Sequence, residues 1–135
     1  MNTRFKLFSG LILLSISGCD ISNIDKTPPG EVYWWEKLGA DSTEIGKALL
    51  ECGMPSLINS DSENREVSDN GWASIHVCMI QAGFHYKGRG SWCSPFNGRD
   101  LPICRPGAVI PKRSVKKRLN SPFCKRSPVQ PECKP

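Results

Sequence analysis

The chain has 135 residues, enough for one domain and too few for two of ordinary size. It carries 18 Lys and Arg against 13 Asp and Glu, a formal net charge of +5, together with seven cysteines and 11 prolines. No apolar run reaches the roughly 20 residues that a membrane-spanning helix needs, which excludes a multi-pass membrane protein.

The N-terminus reads as an address. Arg4 and Lys6 precede an apolar run over residues 7–16, followed by the small residues Ser17 and Gly18 and then Cys19. A short basic region, an apolar core of this length and a small-residue cleavage zone describe a secretory signal peptide, here residues 1–18. Ile16, Ser17, Gly18 and Cys19 resemble the lipobox of bacterial lipoproteins. That resemblance implies lipidation of Cys19, cleavage before it and acylation of its new amino group. It places the protein on a cell membrane, lipid-anchored and facing the periplasm. Asp20 resembles the retention signal of enteric lipoproteins and favours the inner membrane over the outer. Residues 19–30 are polar, carry Pro28 and Pro29, and read as a lipid-anchored tether.

With Cys19 acylated, Cys52, Cys78, Cys93, Cys104, Cys124 and Cys133 remain, an even number in an exported chain and hence a disulfide framework. Six cysteines admit many connectivities and the sequence alone does not choose among them. Proximity suggests Cys52–Cys78, Cys93–Cys104 and Cys124–Cys133.

Residues 31–104 form the expected disulfide-bonded globular domain. Asp41 stands three residues before Glu44, a capping-box-like start. Ile45, Leu49 and Cys52 repeat at helical spacing, and Gly53 ends the pattern, which predicts a helix over 42–52. Trp34, Trp35 and Leu38 are expected to cover its apolar face, with core packing for at least one of the two tryptophans. Residues 61–70 read as a polar loop. Asp69 or Asn70 then caps a second helix over 71–82, with Trp72, Ile75, Met79 and Ala82 on one face and Gly83 as the stop. Residues 84–92 alternate in part and suggest a strand or a turn-rich ribbon. No period emerges around Phe96, Leu101 and Ile103. The expected fold is a small α-rich, disulfide-stabilised domain: two short helices with irregular or small β segments, and an extended basic, Pro-rich C-terminal arm. Residues 35–42, 49–53, 78–79 and 83–84 together are similar to uncharacterised small lipoproteins of Gram-negative bacteria. This similarity implies a shared fold and brings no activity.

Charge is unevenly spread. Residues 20–104 hold 7 basic and 12 acidic residues, whereas residues 105–135 hold 9 basic residues against Glu132 alone, with six prolines. Prolines bar long helices, and so few apolar residues promise no core, so residues 105–135 read as an extended arm pinned by Cys124–Cys133. Its clusters, Lys112, Arg113, Lys116, Lys117, Arg118, Lys125 and Arg126, are the candidate anionic-surface-binding residues, each contributing about 1 kcal/mol near an anionic leaflet.

Chemistry is sparse elsewhere. His76 and His85 show no metal-ligand spacing, and exported cysteines pair rather than ligate or attack. His76 reads as a half-exposed helix residue. Glu44, Glu51, Glu63 and Glu66 read as solvated surface. No nucleophile elbow or phosphate-cradling glycine loop is present. The sequence therefore points to a non-enzymatic envelope lipoprotein with no catalytic residue, metal or cofactor. Its partners are the membrane, through the N-terminal lipid, and anionic lipid, a cell-wall polymer or an envelope protein. Export argues against nucleic acid. The competing reading is an inhibitor or phage-exclusion lipoprotein, for which a rigid disulfide-bonded head lowers the ordering cost of binding.

Overall fold

A computed structural model describes residues 30–94 and 99–135. The signal peptide, Cys19, Asp20, the tether up to residue 29 and Phe96 lie outside the described residues.

Helix α1 spans Ser42–Glu51. Asp41 Oδ1 accepts the Glu44 backbone N–H at 2.9 Å, satisfying one of the donors that a helix start leaves without partners. At the other end Gly53 takes φ = 106°. The backbone N–H groups of Gly53 and Met54 donate to the carbonyls of Leu50 and Leu49 at 3.1 and 3.0 Å. This is the Schellman closure, which requires a left-handed residue at that position. It turns the chain so that Met54 packs back into the same core as Leu49.

A single helical turn, α2 (Ser62–Arg65), interrupts the stretch expected to be a plain loop. Its cause is Asn64, which is 5% exposed. The Asn64 amide accepts from the Ser56 N–H at 3.1 Å and donates to the Ser56 and Ile58 carbonyls at 2.9 and 3.1 Å. One side chain thus substitutes for the backbone ladder that residues 56–58 lack.

Helix α3 spans Asp69–Gln81. Its cap is Ser68, one position before the residues expected, with Oγ accepting from the Gly71 N–H at 3.0 Å. Asp69 and Asn70 hold a different segment instead. Asp69 pairs with Arg99 at 2.6 Å, and Asn70 Oδ1 accepts from the Ile103 N–H at 2.9 Å. The unpatterned region before Cys104 is thereby docked on the start of α3, where Pro102–Cys104 form a 3₁₀ turn. A second Schellman closure at Gly83 ends α3, and Lys37 Nζ donates to the Ala82 carbonyl at 2.9 Å.

Two short strands, β1 (Trp35–Glu36) and β2 (His85–Tyr86), pair antiparallel with Trp35 opposite Tyr86 and Glu36 opposite His85. The main core lies between this ribbon and helices α1 and α3, built on Trp35, Ile45, Leu49, Ile75, Met79 and Phe84. Cys52–Cys78 crosses it, with Cα atoms 5.7 Å apart. Cys93–Cys104 and Cys124–Cys133 complete the expected set. The molecule is a small helical, disulfide-stabilised domain.

The C-terminal region corrects the expectation of an extended arm. It contains α4 (Val115–Leu119), α5 (Pro122–Arg126) and a 3₁₀ turn at Pro131–Cys133. Ser114 and Ser121 cap the two helices by accepting from Lys117 N and Cys124 N, each at 3.2 Å. Pro122 sits at the start of α5, where its missing N–H costs nothing. Leu50, Phe123, Cys124 and Cys133 form a second buried cluster, with Leu57 against it. Because α1 contributes to both clusters, residues 31–104 and 105–135 are not separate units.

The physical reason is Glu51. It is 6% exposed and ends α1, where the helix dipole disfavours an acid. Arg118, 3% exposed, donates Nε to Glu51 Oε2 at 2.8 Å. Arg113 Nε reaches Glu51 Oε1 at 3.2 Å. Arg118 Nη1 also donates to the carbonyls of Glu132 and Lys134 at 2.7 and 2.6 Å. The surplus positive charge of the tail is spent in part on the body's own acids.

Arg118→Met is expected to destabilise the disulfide-intact protein by about 3 kcal/mol, because the buried Glu51 carboxylate keeps only the more exposed Arg113 and two carbonyls lose their donor. Pairing it with Glu51→Met should recover most of that loss. Urea denaturation of both variants measures this, and a loss under about 1 kcal/mol for Arg118→Met would show that the pair does not hold the tail. Asn64→Leu is expected to cost about 2 kcal/mol in the same assay, since it leaves the Ser56 backbone groups buried and unpaired.

Candidate functional site

The seven candidate basic residues of the tail divide by type. Arg113 and Arg118 bind Glu51. Arg126 pairs with Asp61 at 2.6 Å and also with Glu63. The planar guanidinium suits such shared, partly buried pairs. Lys112, Lys116, Lys117 and Lys125 are exposed, and among the described residues none of their ammonium groups has an ion-pair partner. Exposed aliphatic side chains are interleaved with them: Val109 is 89% exposed, Val115 51% and Leu119 38%. The sequence grouped all seven residues together. Four of them remain exposed and without an ion-pair partner among the described residues, interleaved in sequence with exposed apolar residues.

The acids are also redistributed. Glu44 lies 3.8 Å from Lys47, and Glu66 is exposed as expected. Glu51 is buried and Glu63 is held by Arg126, so neither is free surface. The Arg126 guanidinium pulls the Glu63 carboxyl below its ordinary range, chiefly through its hydrogen bond.

A second feature surrounds His76, which is 7% exposed rather than half-exposed. Its ring centroid lies 4.8 Å from that of Trp35 and 4.9 Å from that of Tyr86, and Trp35 and Tyr86 are 5.1 Å apart. The β1–β2 pairing sets Trp35 against Tyr86, and α3 delivers His76 to them. Tyr86 folds across Gly88, where a Cβ would stand 2.5 Å from the phenol ring, so a larger residue there would displace the ring. Burial pushes the His76 pKa down. Burial pushes the Tyr86 phenol up, with a smaller push from Glu31.

Beside this cluster lies a cavity of about 280 Å³, walled by Glu31, Trp35, Trp72, His76, Tyr86 and Trp92 among others. Burial raises the Glu31 pKa, opposed by the nearby Trp35 indole. The Trp35 Nε1–H itself is buried and not in hydrogen-bonding geometry with any acceptor among the described residues. A neighbouring cavity of about 380 Å³ shares the His76, Tyr86 and Trp92 wall and adds Arg89 and Arg99. The sequence reading missed this cleft. Its one signal was the run from Tyr86 to Trp92, where two aromatics flank Gly88, Arg89 and Gly90.

The folded-state preference for neutral His76 has a defined sign. Its stabilising contribution is present above the ordinary imidazole value of 6.5 and is lost as pH falls through the lowered folded value. Glu31 acts in the opposite sense. Its contribution is present below the ordinary 4.5 and lost as pH rises through its raised value. Comparison with a His76→Gln variant isolates the histidine from Glu31, Tyr86, Arg89 and Arg99 around it. The wild-type Tm is expected to fall relative to that variant as pH drops below 6.5. A constant difference between neutral and mildly acidic pH would mean that the ring titrates as if in solvent.

Among the described residues no helix is long and apolar enough to cross a membrane, and no cluster of three His, Cys, Asp or Glu side chains could hold a metal ion. No protein-family model, no curated protein and no solved structure matches the chain.

Proposed function

We propose that the protein is a non-enzymatic, lipid-anchored envelope protein. Cys19 carries its acyl chains, and its C-terminal lysine face rests on anionic lipid at the membrane that holds the anchor. The supporting observation is the division of the tail. Its arginines are committed to internal acids, while Lys112, Lys116, Lys117 and Lys125 stand exposed among Val109, Val115 and Leu119.

The energetics suit this role. Four lysines near an anionic leaflet contribute on the order of 4 kcal/mol together. Interleaved aliphatic groups gain by entering the headgroup boundary. A lipid anchor keeps the face close to the surface, so each weak contact acts at high effective concentration. Asp20 favours the inner membrane as the site. The competing inhibitor reading would use the same rigid scaffold against a protein partner.

Palmitate labelling is expected to be incorporated into the wild type and lost in Cys19→Ser. The protein without its acyl chains is expected to co-sediment with phosphatidylglycerol-containing vesicles, and salt should weaken that binding. Replacing Lys112, Lys116, Lys117 and Lys125 with Gln should reduce it at least about tenfold. Undiminished vesicle binding by that variant refutes the lysine face. A single stoichiometric protein partner recovered from envelope extracts, with no vesicle binding, would favour the inhibitor reading.

A further inference from the structure

The two cavities around His76 carry opposite charge. Among the described residues, the smaller is lined by one carboxyl, Glu31, with aromatic rings and no Lys or Arg. The larger is lined by Arg89 and Arg99 and, among the described residues, by no acid. They adjoin at the His76, Tyr86 and Trp92 wall. We propose that this cleft binds a zwitterionic alkylammonium phosphoester, with its ammonium group in the aromatic box beside Glu31 and its phosphate against Arg89.

Each half of the ligand answers a particular side chain. Tryptophan faces are the best aromatic hosts for an ammonium group, and aromatic boxes are the usual receptors for alkylated ones. Trp35, Trp72, Tyr86 and Trp92 supply four such rings. Glu31 has no ion-pair partner among the described residues, although burial raises its pKa. Arg65 shares a third small cavity with it across Trp72 but forms no ion pair with it. A ligand cation would supply the missing charge. His76, with its pKa lowered by burial, adds no competing cation to the box.

On the other side Arg99 is engaged by Asp69 at 2.6 Å, whereas Arg89 is exposed and without an ion-pair partner among the described residues. Its guanidinium is free to present two parallel N–H groups to a phosphate. A simple anion would leave the aromatic box unused and face Glu31. A simple cation would leave Arg89 unused. A ligand carrying both charges uses both ends, and cavities of about 280 and 380 Å³ suit a small headgroup rather than a macromolecule.

The test is calorimetric titration of the intact protein with phosphocholine, choline chloride and inorganic phosphate, with tryptophan fluorescence as a second readout. Phosphocholine is expected to bind saturably and more tightly than either fragment. Glu31→Gln should weaken phosphocholine and choline alike, about tenfold. Arg89→Gln, at an exposed position that leaves the fold intact, should weaken phosphocholine about tenfold and leave choline within about twofold. Phosphatidylcholine vesicles that displace soluble phosphocholine would identify a lipid headgroup as the source, and failure to displace it would identify a soluble phosphoester. Absence of saturable phosphocholine binding at millimolar concentration overturns the proposal. So does inorganic phosphate binding as tightly as phosphocholine, displacement by a neutral sugar such as N-acetylglucosamine, or an Arg89→Gln variant that binds phosphocholine unchanged.

Discussion

A carboxylate at the wrong end of a helix organises this molecule. Glu51 closes α1, where the exposed backbone carbonyls already concentrate negative charge, and it is withdrawn from water. Left alone, such a group would be among the most costly features a small domain could carry. Arg118 and Arg113 neutralise it, and the Ser114 N–H donates to the Glu51 carbonyl at 3.1 Å. Both the side chain and the backbone of one residue are thus satisfied by the C-terminal segment. The tail folds where it does because the helix end requires it, and α1 tolerates its acid because the tail is there.

That dependence explains how a segment poor in apolar residues acquires order. Phe123 and the Cys124–Cys133 bridge supply a small core only when Leu50 and Leu57 close over them. The Phe123 N–H finds its acceptor in the Pro55 carbonyl, 3.2 Å away. Arg126 reaches back to Asp61, whose other contact, at 2.6 Å, is the Ser56 hydroxyl that also receives the Ile58 N–H. The loop after α1 and the tail are therefore one network, with Asn64 plugging its centre. A disulfide that closes a short loop restricts the unfolded chain modestly. Here its second effect is to keep Phe123 and Cys133 on the same side of α1.

The parts of this fold that could be read in advance are those governed by neighbours in sequence. The Asp41 cap, the two glycine-closed helices and the pairing of adjacent cysteines all depend on spacings of a few to a few tens of residues. Ser68 displaced Asp69 as the cap because its hydroxyl reaches the Gly71 N–H, freeing Asp69 for Arg99. The interactions that escaped reading are long-range. Glu51 and Arg118 lie 67 positions apart, and Arg126 lies 63 from Glu63. A basic, proline-rich tail carries the same composition whether it is solvated or folded against acids. Only the acids' positions on the folded body decide between the two. The aromatic cleft was hidden for the same reason: Glu31, Trp72 and Trp92 share no local period, and the pairing of Trp35 with Tyr86 brings their segments together.

The division between arginine and lysine follows from their hydration. A guanidinium is weakly hydrated and can satisfy several acceptors at once, so Arg118 serves one carboxylate and two carbonyls from a buried position. An ammonium is strongly hydrated and loses more on burial, which leaves Lys112, Lys116, Lys117 and Lys125 in solvent. The same chain segment therefore neutralises the interior and presents an outward charge without conflict between the two roles. Arg89, like Arg65, is exposed and has no ion-pair partner among the described residues. Its guanidinium lines one cavity, and the adjoining aromatic cavity is lined by Glu31, which has no ion-pair partner among the described residues. In a protein that elsewhere joins Arg113, Arg118, Arg126, Arg99 and Arg105 to acids, an exposed arginine that lines a cavity and has no ion-pair partner among the described residues is a position where an external anion meets little competition.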